Sequence, residues 1–425
     1  MEVVMAAKKI THLTLSTTAM FVLSAMSIGN ANAAGYQIAF DSSGGLGRAY
    51  AGEAAIGDSA ASMGRNPATM TLFERPEFSG SMIYFDAEID VTGNSAAQSS
   101  SDIIPSQFVP ASYYVQPLNE QMAVGLGLYA NYGLGTDLKD DFIAGDIGGD
   151  TELFTVNINP AIAYQVSPML SLGAGISLVY ASGEVNRHYG GGAGSFGVQA
   201  SDKILSWDGD DWAFGWNVGA LLALDEKNRL GLSYRAGVDL KLEGTFNDFS
   251  PGVAIPGGGS TTAVSNVPLP AIAEFSGFHQ LDDKWAIHYS ALWTQWSEYK
   301  EFSASSSDCS INGGICFLKP EKYEDSWRWA IGATYQLNPA IKLRAGFALD
   351  EKAGETTLSI PDQDAYWYST GMNYQLDTNW SFDLGLAYMD RSDESFTETS
   401  LFAADHDYTA KGYLLIVGAQ ANYRF

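Results

Sequence analysis

Three arginines offer the clearest chemistry in this sequence, which is the binding of a carboxylate. Arg235, Arg328 and Arg344 each stand on the polar face of a segment in which apolar and polar residues alternate. A guanidinium group in an otherwise apolar chamber would hold a carboxylate through charge-assisted hydrogen bonds. Arg328 is the first candidate, because a tryptophan flanks it on each side. The alternative is that each arginine pairs with an acidic side chain and stiffens the protein. The acidic partners considered are Asp239, Asp350, Glu53 and Asp58.

Histidine and serine do not form the patterns that hydrolases use. Beyond residue 33 the histidines are His188, His279, His288 and His406. Neither G-x-S-x-G nor H-E-x-x-H occurs, so the sequence has no nucleophile elbow and no zincin motif. We therefore predict that the protein is not an enzyme and has no cofactor and no metal site.

The two cysteines, Cys309 and Cys316, lie in a segment rich in Ser, Gly and Asn. An exported protein meets an oxidising compartment, so this spacing predicts one small loop disulfide. A metal or redox pair would need C-x-x-C spacing or a nearby histidine, and the segment has neither.

The N-terminus and the composition indicate an exported protein. Residues 1–33 contain Lys8 and Lys9, then an apolar stretch, then Ala31-Asn32-Ala33, which is the pattern of a secretory signal peptide. Beyond it we find no uncharged apolar run of about 18 residues, so no spanning helix is expected. The formal net charge of −26 argues against nucleic acid as a partner.

Alternation of apolar and polar residues predicts the elements that position these side chains. In lipid, strands with one apolar and one polar face must close into a barrel, because every backbone polar group needs a partner. We therefore predict an all-β, transmembrane, antiparallel β-barrel of about fourteen strands over residues 76–425, with short turns at one end and seven longer loops at the other. The predicted strands are 76–91, 108–117, 121–134, 152–166, 170–187, 211–224, 229–244, 268–280, 284–299, 322–337, 341–350, 364–376, 379–391 and 411–425.

Residues 34–75 lack this alternation and are rich in Gly and Ala. Small apolar residues with little charge suit close packing, and the lumen of a wide barrel is the available place. The segment is therefore predicted to be a plug inside the barrel.

This plug resembles the N-terminal hatch of the FadL family of outer-membrane transporters. Its matching segments are Ala34-Gly35-Tyr36-Gln37-Ile38, residues 45–54 and Asn66-Pro67-Ala68. Four later segments are similar to family segments in the same order: 131–134, 327–335, 343–347 and 360–364. The resemblance therefore covers essentially the whole chain after the leader. Arg65 and Thr69 depart from the pattern, since we expect an aromatic residue and Gly or Ala at these positions.

The resemblance implies an outer hydrophobic groove that first captures ligand, an inner pocket, and a lateral opening at a kink in the third strand. Glycines in that strand fit the kink, although they would equally make room for the plug; they are Gly125, Gly127 and Gly133. Asn66-Pro67-Ala68 would pack the hatch beneath the ligand, or be a plain structural turn.

The loop over residues 134–151 carries an apolar stripe at roughly helical spacing: Leu138, Phe142, Ile143 and Ile147. A capture groove would explain this stripe, and a small lid packed on neighbouring loops is the alternative. We expect its partner surface at residues 188–210, whose apolar residues are Phe196, Val198, Ile204 and Leu205.

The resemblance to the FadL family implies uptake of long-chain fatty acids across the outer membrane of a Gram-negative bacterium, with the long loops extracellular. The expected partners are that ligand or another hydrophobic small molecule, outer-membrane lipid and lipopolysaccharide, and the chain is expected to be a monomer without energy coupling. Uptake of monoaromatic hydrocarbons is the main alternative. A general porin is a distant one, because an open pore has no need of a hatch.

Overall fold

A single closed barrel of fourteen antiparallel strands forms the frame of the protein. The computed structural model describes residues 35–250, 252–310, 313–400 and 405–425, so the leader expected at 1–33 lies outside the described residues. The first strand pairs with the last over its whole length, from Glu77 opposite Arg424 to Thr92 opposite Thr409, and this pairing closes the barrel. The predicted fold class and the number of strands are confirmed.

Nine strands are continuous and five are interrupted. Their bounds are β1 Glu77–Thr92, β2 Gln107–Pro117, β3a Met122–Tyr129 and β3b Gly133–Thr136, β4 Asp150–Ser167, β5 Leu170–His188, β6 Lys203–Ala223, β7a Asn228–Arg235 and β7b Val238–Asp248, β8a Gly259–Leu269 and β8b Ile272–Gln280, β9a Trp285–Thr294 and β9b Glu301–Ser305, β10a Ile315–Pro320 and β10b Ser326–Asn338, β11 Ile341–Asp350, β12 Ala365–Gln375, β13 Trp380–Thr399 and β14 Asp405–Arg424.

The helices are short. They are α1 Ser43–Leu46, α2 Ala193–Phe196, and 3-10 turns at Ala60–Gly64, Pro67–Leu72, Ala96–Gln98, Gly190–Gly192 and Trp296–Glu298. Within the described ranges no helix is long and apolar enough to cross a membrane.

Several strands reach further toward the long loops than the alternation predicts. β6 begins at Lys203 instead of 211, and β13 ends at Thr399 instead of 391. In these extensions the outward side chains are polar, as at Asp208 and Asp210. The apolar outer band that marks a membrane strand ends there, so sequence alternation cannot detect the rest of the strand.

The six short turns share one hydrogen-bond arrangement. In each, the side-chain oxygen of the first residue accepts the backbone N–H two residues later, and in five of them also the N–H three residues later. The first residues are Asn119, Ser167, Asp225, Asp282, Asn338 and Asp377. This Asx- or Ser-type turn explains why a short polar residue stands at each of these positions.

The interruption of β7 turns the side chains of that strand over. The eight residues of β6 from Asp210 to Asn217 correspond to nine residues of β7, from Glu243 to Arg235. A one-residue slip exchanges the two faces of a strand. The expectation that Asp239 faces the lumen beside Arg235 is therefore wrong: Asp239 is exposed and Leu240 is buried.

The segment before β1 fills the lumen. From Tyr36 to Met70 nearly every side chain is buried against the inner wall of the barrel. Barrel glycines let its backbone approach closely: a Cβ at Gly346 would lie 2.1 Å from the Arg48 carbonyl oxygen, and one at Gly385 would lie 2.5 Å from that of Ser43. We call residues 35–72 the hatch.

Candidate functional site

Asn66-Pro67-Ala68 anchors the lower end of the hatch. Asn66 is fully buried; its Oδ1 accepts the Ala68 N–H, and its Nδ2 donates to the carbonyl oxygens of Ala54 and Ala220 at 2.7 and 3.0 Å. The wall accommodates the turn through Gly219, where a Cβ would lie 1.8 Å from the Asn66 Oδ1. Side chain and wall together fix this turn in one position.

Both departures from the family pattern have hydrogen-bond or ion partners inside the hatch. Arg65 pairs with Asp41 and lies 3.7 Å from the carboxylate of Glu274 on β8b. The Thr69 hydroxyl donates to the Asn66 carbonyl oxygen at 2.8 Å and lies 2.9 Å from the Ser62 hydroxyl. The polar replacements are therefore compensated locally.

Two of the three predicted arginines are neutralised by carboxylates. Arg344 pairs with Asp383 and, at 2.9 Å, with the hatch residue Asp58. Arg328 lies 3.5 Å from Asp350 and donates to the Ala49 carbonyl oxygen. Both face the lumen, as alternation indicates, but their charges already have partners.

Arg235 differs from these two because no carboxylate of the described residues lies within 4.0 Å of it. Its guanidinium donates to the Gly64 carbonyl oxygen at 2.7 Å, to the Tyr129 hydroxyl at 2.6 Å and to the Ser177 hydroxyl at 3.1 Å. A guanidinium carries five N–H donors, so these bonds leave donors to spare. Arg235 also lines a small cavity with Asn131, Tyr132 and Val179.

A second, mostly apolar cavity lies next to this one, nearer the long loops. Its lining includes Tyr36, Leu153, Trp207, Leu242, Phe302 and Ile360. Tyr36 lines this cavity and Tyr132 lines the one with Arg235, and their rings are 5.9 Å apart. The pair of tyrosines therefore stands between an apolar chamber and a cation.

The third strand is broken beside these cavities. β3a ends at Tyr129 and β3b begins at Gly133, and β2 pairs with β3a only from Ser112 onward, so the start of β2 has no ladder partner on this side. At the break, β3 pairs with the hatch instead of with β2. The Ile38 N–H donates to the Asn131 carbonyl oxygen, and the Gly133 N–H donates to that of Tyr36. The start of the hatch therefore pairs with the broken strand at this point in the wall.

The three glycines of this strand have different surroundings. Gly133 directly follows the break. Gly125 lies below it, where a Cβ would come within 2.7 Å of the sulfurs of Met63 and Met70. Gly127 faces the Tyr129 ring. The lower two therefore make room for neighbouring side chains, and only Gly133 is next to the break itself.

The apolar stripe of the 134–151 loop points into the mouth of the barrel. Leu138 and Phe142 are buried, and Ile143 and Ile147 pack partly buried on the same cluster. The Phe142 ring is 5.9 Å from that of Tyr408 on β14. The stripe is therefore packed as a lid on the interior of the barrel and does not line a groove open to water.

The expected partner surface at 188–210 is divided. Ile204 and Leu205 belong to β6 and are buried, whereas Phe196 and Val198 are exposed at 41% and 38%. The two loops contact each other through their backbones, since the Gly191 N–H donates to the Ile143 carbonyl oxygen at 2.8 Å.

Cys309 and Cys316 form a disulfide in another long loop.

Comparison with known proteins identifies the family. A family model described as "Outer membrane protein transport protein (OMPP1/FadL/TodX)" matches residues 24–425. The chain belongs to this family. It is 37% identical to the 47 kDa outer membrane protein of Pasteurella multocida over 93% of this chain and 95% of that protein. It is 33% identical to the long-chain fatty acid transport protein of Escherichia coli K12, over 97% of this chain and all of that one.

Solved structures show the same fold in this family. The crystal structure of a Pseudomonas aeruginosa FadL homologue superposes with a TM-score of 0.83 at 23% identity, covering 92% of this chain and all of that one. The Ralstonia pickettii toluene transporter TbuX superposes with a TM-score of 0.65 at 19% identity, covering 90% of this chain and 98% of that one. The chain is thus an outer-membrane β-barrel of the FadL family.

Two important side chains of the site were not found from the sequence. Tyr36 and Tyr132 donate through their hydroxyls to the carbonyl oxygens of Pro268 and Pro270, at the interruption of β8. The Pro-Leu-Pro-Ala run at 268–271 is the signal that such an interruption exists, because proline lacks the N–H that a ladder needs.

Proposed function

We propose that this protein takes up long-chain fatty acids, and that Arg235 binds the carboxylate. The observation that carries the proposal is a lumen cation without a carboxylate partner among the described residues, next to an apolar cavity. Moving an acyl chain from water into that cavity lowers the free energy, and the carboxylate at the end of the chain needs a charged hydrogen-bond donor. The fatty-acid transport proteins of Escherichia coli, to which the chain is similar over its full length, support this substrate class.

The same guanidinium links ligand binding to the hatch. Arg235 holds the Gly64 carbonyl oxygen, which belongs to the hatch. A carboxylate that reaches Arg235 competes for these donors and weakens the attachment of the hatch at Gly64. Binding in the inner pocket would thereby favour hatch rearrangement.

The proposed transport path runs from the long loops, through the inner pocket, to the barrel wall. Ligand first contacts the exposed Phe196 and Val198 and then displaces the lid formed by Leu138, Phe142, Ile143 and Ile147. It then enters the inner pocket and leaves sideways at the break in β3, when the segment from Tyr36 to Ile38 moves away from Asn131 and Gly133. Lateral exit delivers an apolar molecule to lipid and avoids a water-filled channel.

We further propose that the chain carries out no catalysis, works as a monomer, and contacts outer-membrane lipid and lipopolysaccharide with its outer face. Histidines of the barrel are engaged in structural contacts: His279 with Asn228 and Tyr289, and His288 with Thr334. Uptake of aromatic hydrocarbons stays the second candidate, because the toluene transporter shares the fold. A hydrocarbon has no charge for Arg235 to bind.

Equilibrium binding of a fluorescent long-chain fatty acid to the refolded barrel tests the proposal. Losing a hydrogen bond to a charged group costs about 1.5–3 kcal/mol, so Arg235→Ala should weaken binding about 10- to 100-fold. Arg229→Ala is the matched control, since Arg229 is a lumen arginine that contacts the hatch carbonyl of Ile56 and lines neither cavity. Equal affinity of wild type and Arg235→Ala, or binding of toluene with no binding of fatty acid, would contradict the proposal.

A further inference from the structure

The barrel wall has a second break, between β6 and β7. On β6, ladder pairing with β7 runs from Leu205 to Asp210 and again from Asn217 to Ala223. The residues of β6 between these two stretches have no ladder partner on β7. On the facing strand the corresponding stretch runs from Ala236 to Leu242. We call this region, residues 211–216 and 236–242, the β6–β7 split.

Bonds from the Asp211 carboxylate and from the Ala236 N–H cross the split. The Asp211 Oδ2 accepts the Lys241 N–H and its Oδ1 accepts the Trp212 N–H, each at 2.8 Å. The Ala236 N–H donates to the Trp216 carbonyl oxygen at 2.9 Å. Unpaired backbone groups facing lipid are costly, so a barrel that keeps such a gap at the membrane is expected to use it.

Aromatic side chains stand on the outer face of β6 at the split, and small residues stand on its inner face. Phe214 is 74% exposed on the outer face, between Trp212 and Trp216. On the inner face Ala213 and Gly215 are only half-buried, although Asn217 further down the same strand is buried. The inner face of β6 is therefore partly accessible at the split.

The cavity that holds Arg235 reaches this split. It extends from Asn131 and Tyr132 at the break in β3 to Ala236 and Val238 of β7 and Leu269 of β8. One side of the cavity thus adjoins the β3 break and the other adjoins the split. An acyl chain whose carboxylate is held at Arg235 starts directly beside Ala236.

The hatch also holds the neighbouring strand. Tyr36 of the hatch donates to the Pro268 carbonyl oxygen, and Tyr132 donates to that of Pro270 at 2.5 Å. Pro268 lies opposite Asp239 in the pairing of β8 with β7. The residues that pair the hatch with β3 therefore also fasten the strand next to the split.

We propose that the β6–β7 split is a second lateral opening, through which a hydrophobic ligand passes between the Arg235 cavity and the outer-membrane lipid. The proposal rests on the proposed function for the cavity and adds a route. Movement of Tyr36 releases Pro268 at the same time as it releases β3, so the two openings respond to one event.

Closing the split without touching the pocket tests this route. Phe214→Cys with Asp239→Cys places two thiols on opposite sides of the split, to be joined by oxidation or by a short bis-maleimide. The control pair, Ala220→Cys with Leu232→Cys, stands directly opposite in the paired part of the same strands.

Initial uptake of oleate and of toluene is measured in cells that lack their own transporter, together with fatty-acid binding and heat-modifiable gel mobility as a check of folding. The closed cysteine pair should lose uptake, retain wild-type binding, and recover uptake on reduction of the disulfide. Wild-type uptake by the folded, closed pair, or a loss equal to that of the control pair, overturns the second opening. If wild type binds no oleate but the closed pair blocks toluene uptake, the fatty-acid proposal fails and the opening stands.

Discussion

At the scale of single residues, the partners of each arginine decide its role. Arg344 is buried between Asp383 and the hatch residue Asp58. Arg344→Ala leaves Asp383 without its cation, whereas Asp58 keeps Arg48 at 2.7 Å. Removing one partner of a buried ion pair costs about 3–5 kcal/mol. The urea midpoint of the detergent-refolded barrel should fall accordingly. Lys322→Ala is the control, because the Lys322–Glu355 pair is exposed and such pairs contribute about 0–1 kcal/mol. Equal shifts in the two variants would refute this role for Arg344.

Alternation in the sequence places Arg235, Arg328 and Arg344 on the lumen side, and the structure agrees. Alternation cannot rank the three arginines. Arg328 was favoured for its flanking tryptophans, but these point outward and are exposed at 40% and 48%. What separates the three is whether a carboxylate reaches them. Those partners come from the hatch or from neighbouring strands, and no local pattern records such contacts.

At the scale of elements, the turn residues give a prediction with a pH dependence. The Asp282 carboxylate accepts the N–H groups of Lys284 and Trp285, and these bonds hold its pKa below the ordinary value of 3.8. A lowered pKa in the folded state means stabilisation that is present above the ordinary pKa and is lost as the pH falls through the folded one. Asp282→Ala should therefore lower the thermal midpoint at neutral pH and have little effect in strong acid.

Asp282→Asn separates the hydrogen bonds of this turn from its charge. An asparagine oxygen accepts the same two N–H groups, as Asn119 and Asn338 do in the equivalent turns. The midpoint of this variant should stay close to that of wild type at neutral pH and should vary less in acid. An Asn variant as unstable as the Ala variant would show that the turn needs charge and not an acceptor.

The strands themselves were largely predictable, and their interruptions were not. β11 and β2 lie within one residue of the predicted ranges, because an apolar outer face against a polar or small inner face is imposed by the membrane. The slip at Ala236 and Gly237 was missed, and with it the reversal of Asp239. A slip of one residue leaves the composition unchanged and is fixed by pairing with β6, which lies elsewhere in the chain.

At the scale of the whole molecule, the hatch and the barrel close the lumen through backbone contact at glycines, and this gives a direct test of closure. Gly346→Val would place side-chain atoms where the Arg48 carbonyl oxygen lies, only 2.1 Å from a Cβ, so the hatch cannot seat on β11. Ion conductance in planar bilayers should rise, and trypsin should cleave at Arg48, which is otherwise buried. Gly194→Val is the control, since nothing lies within 4 Å of a Cβ there. A general porin would conduct before the change as well as after it, so high conductance of the wild type would count against a closed transporter, whereas a closed wild type that Gly346→Val opens ties the seal to this contact.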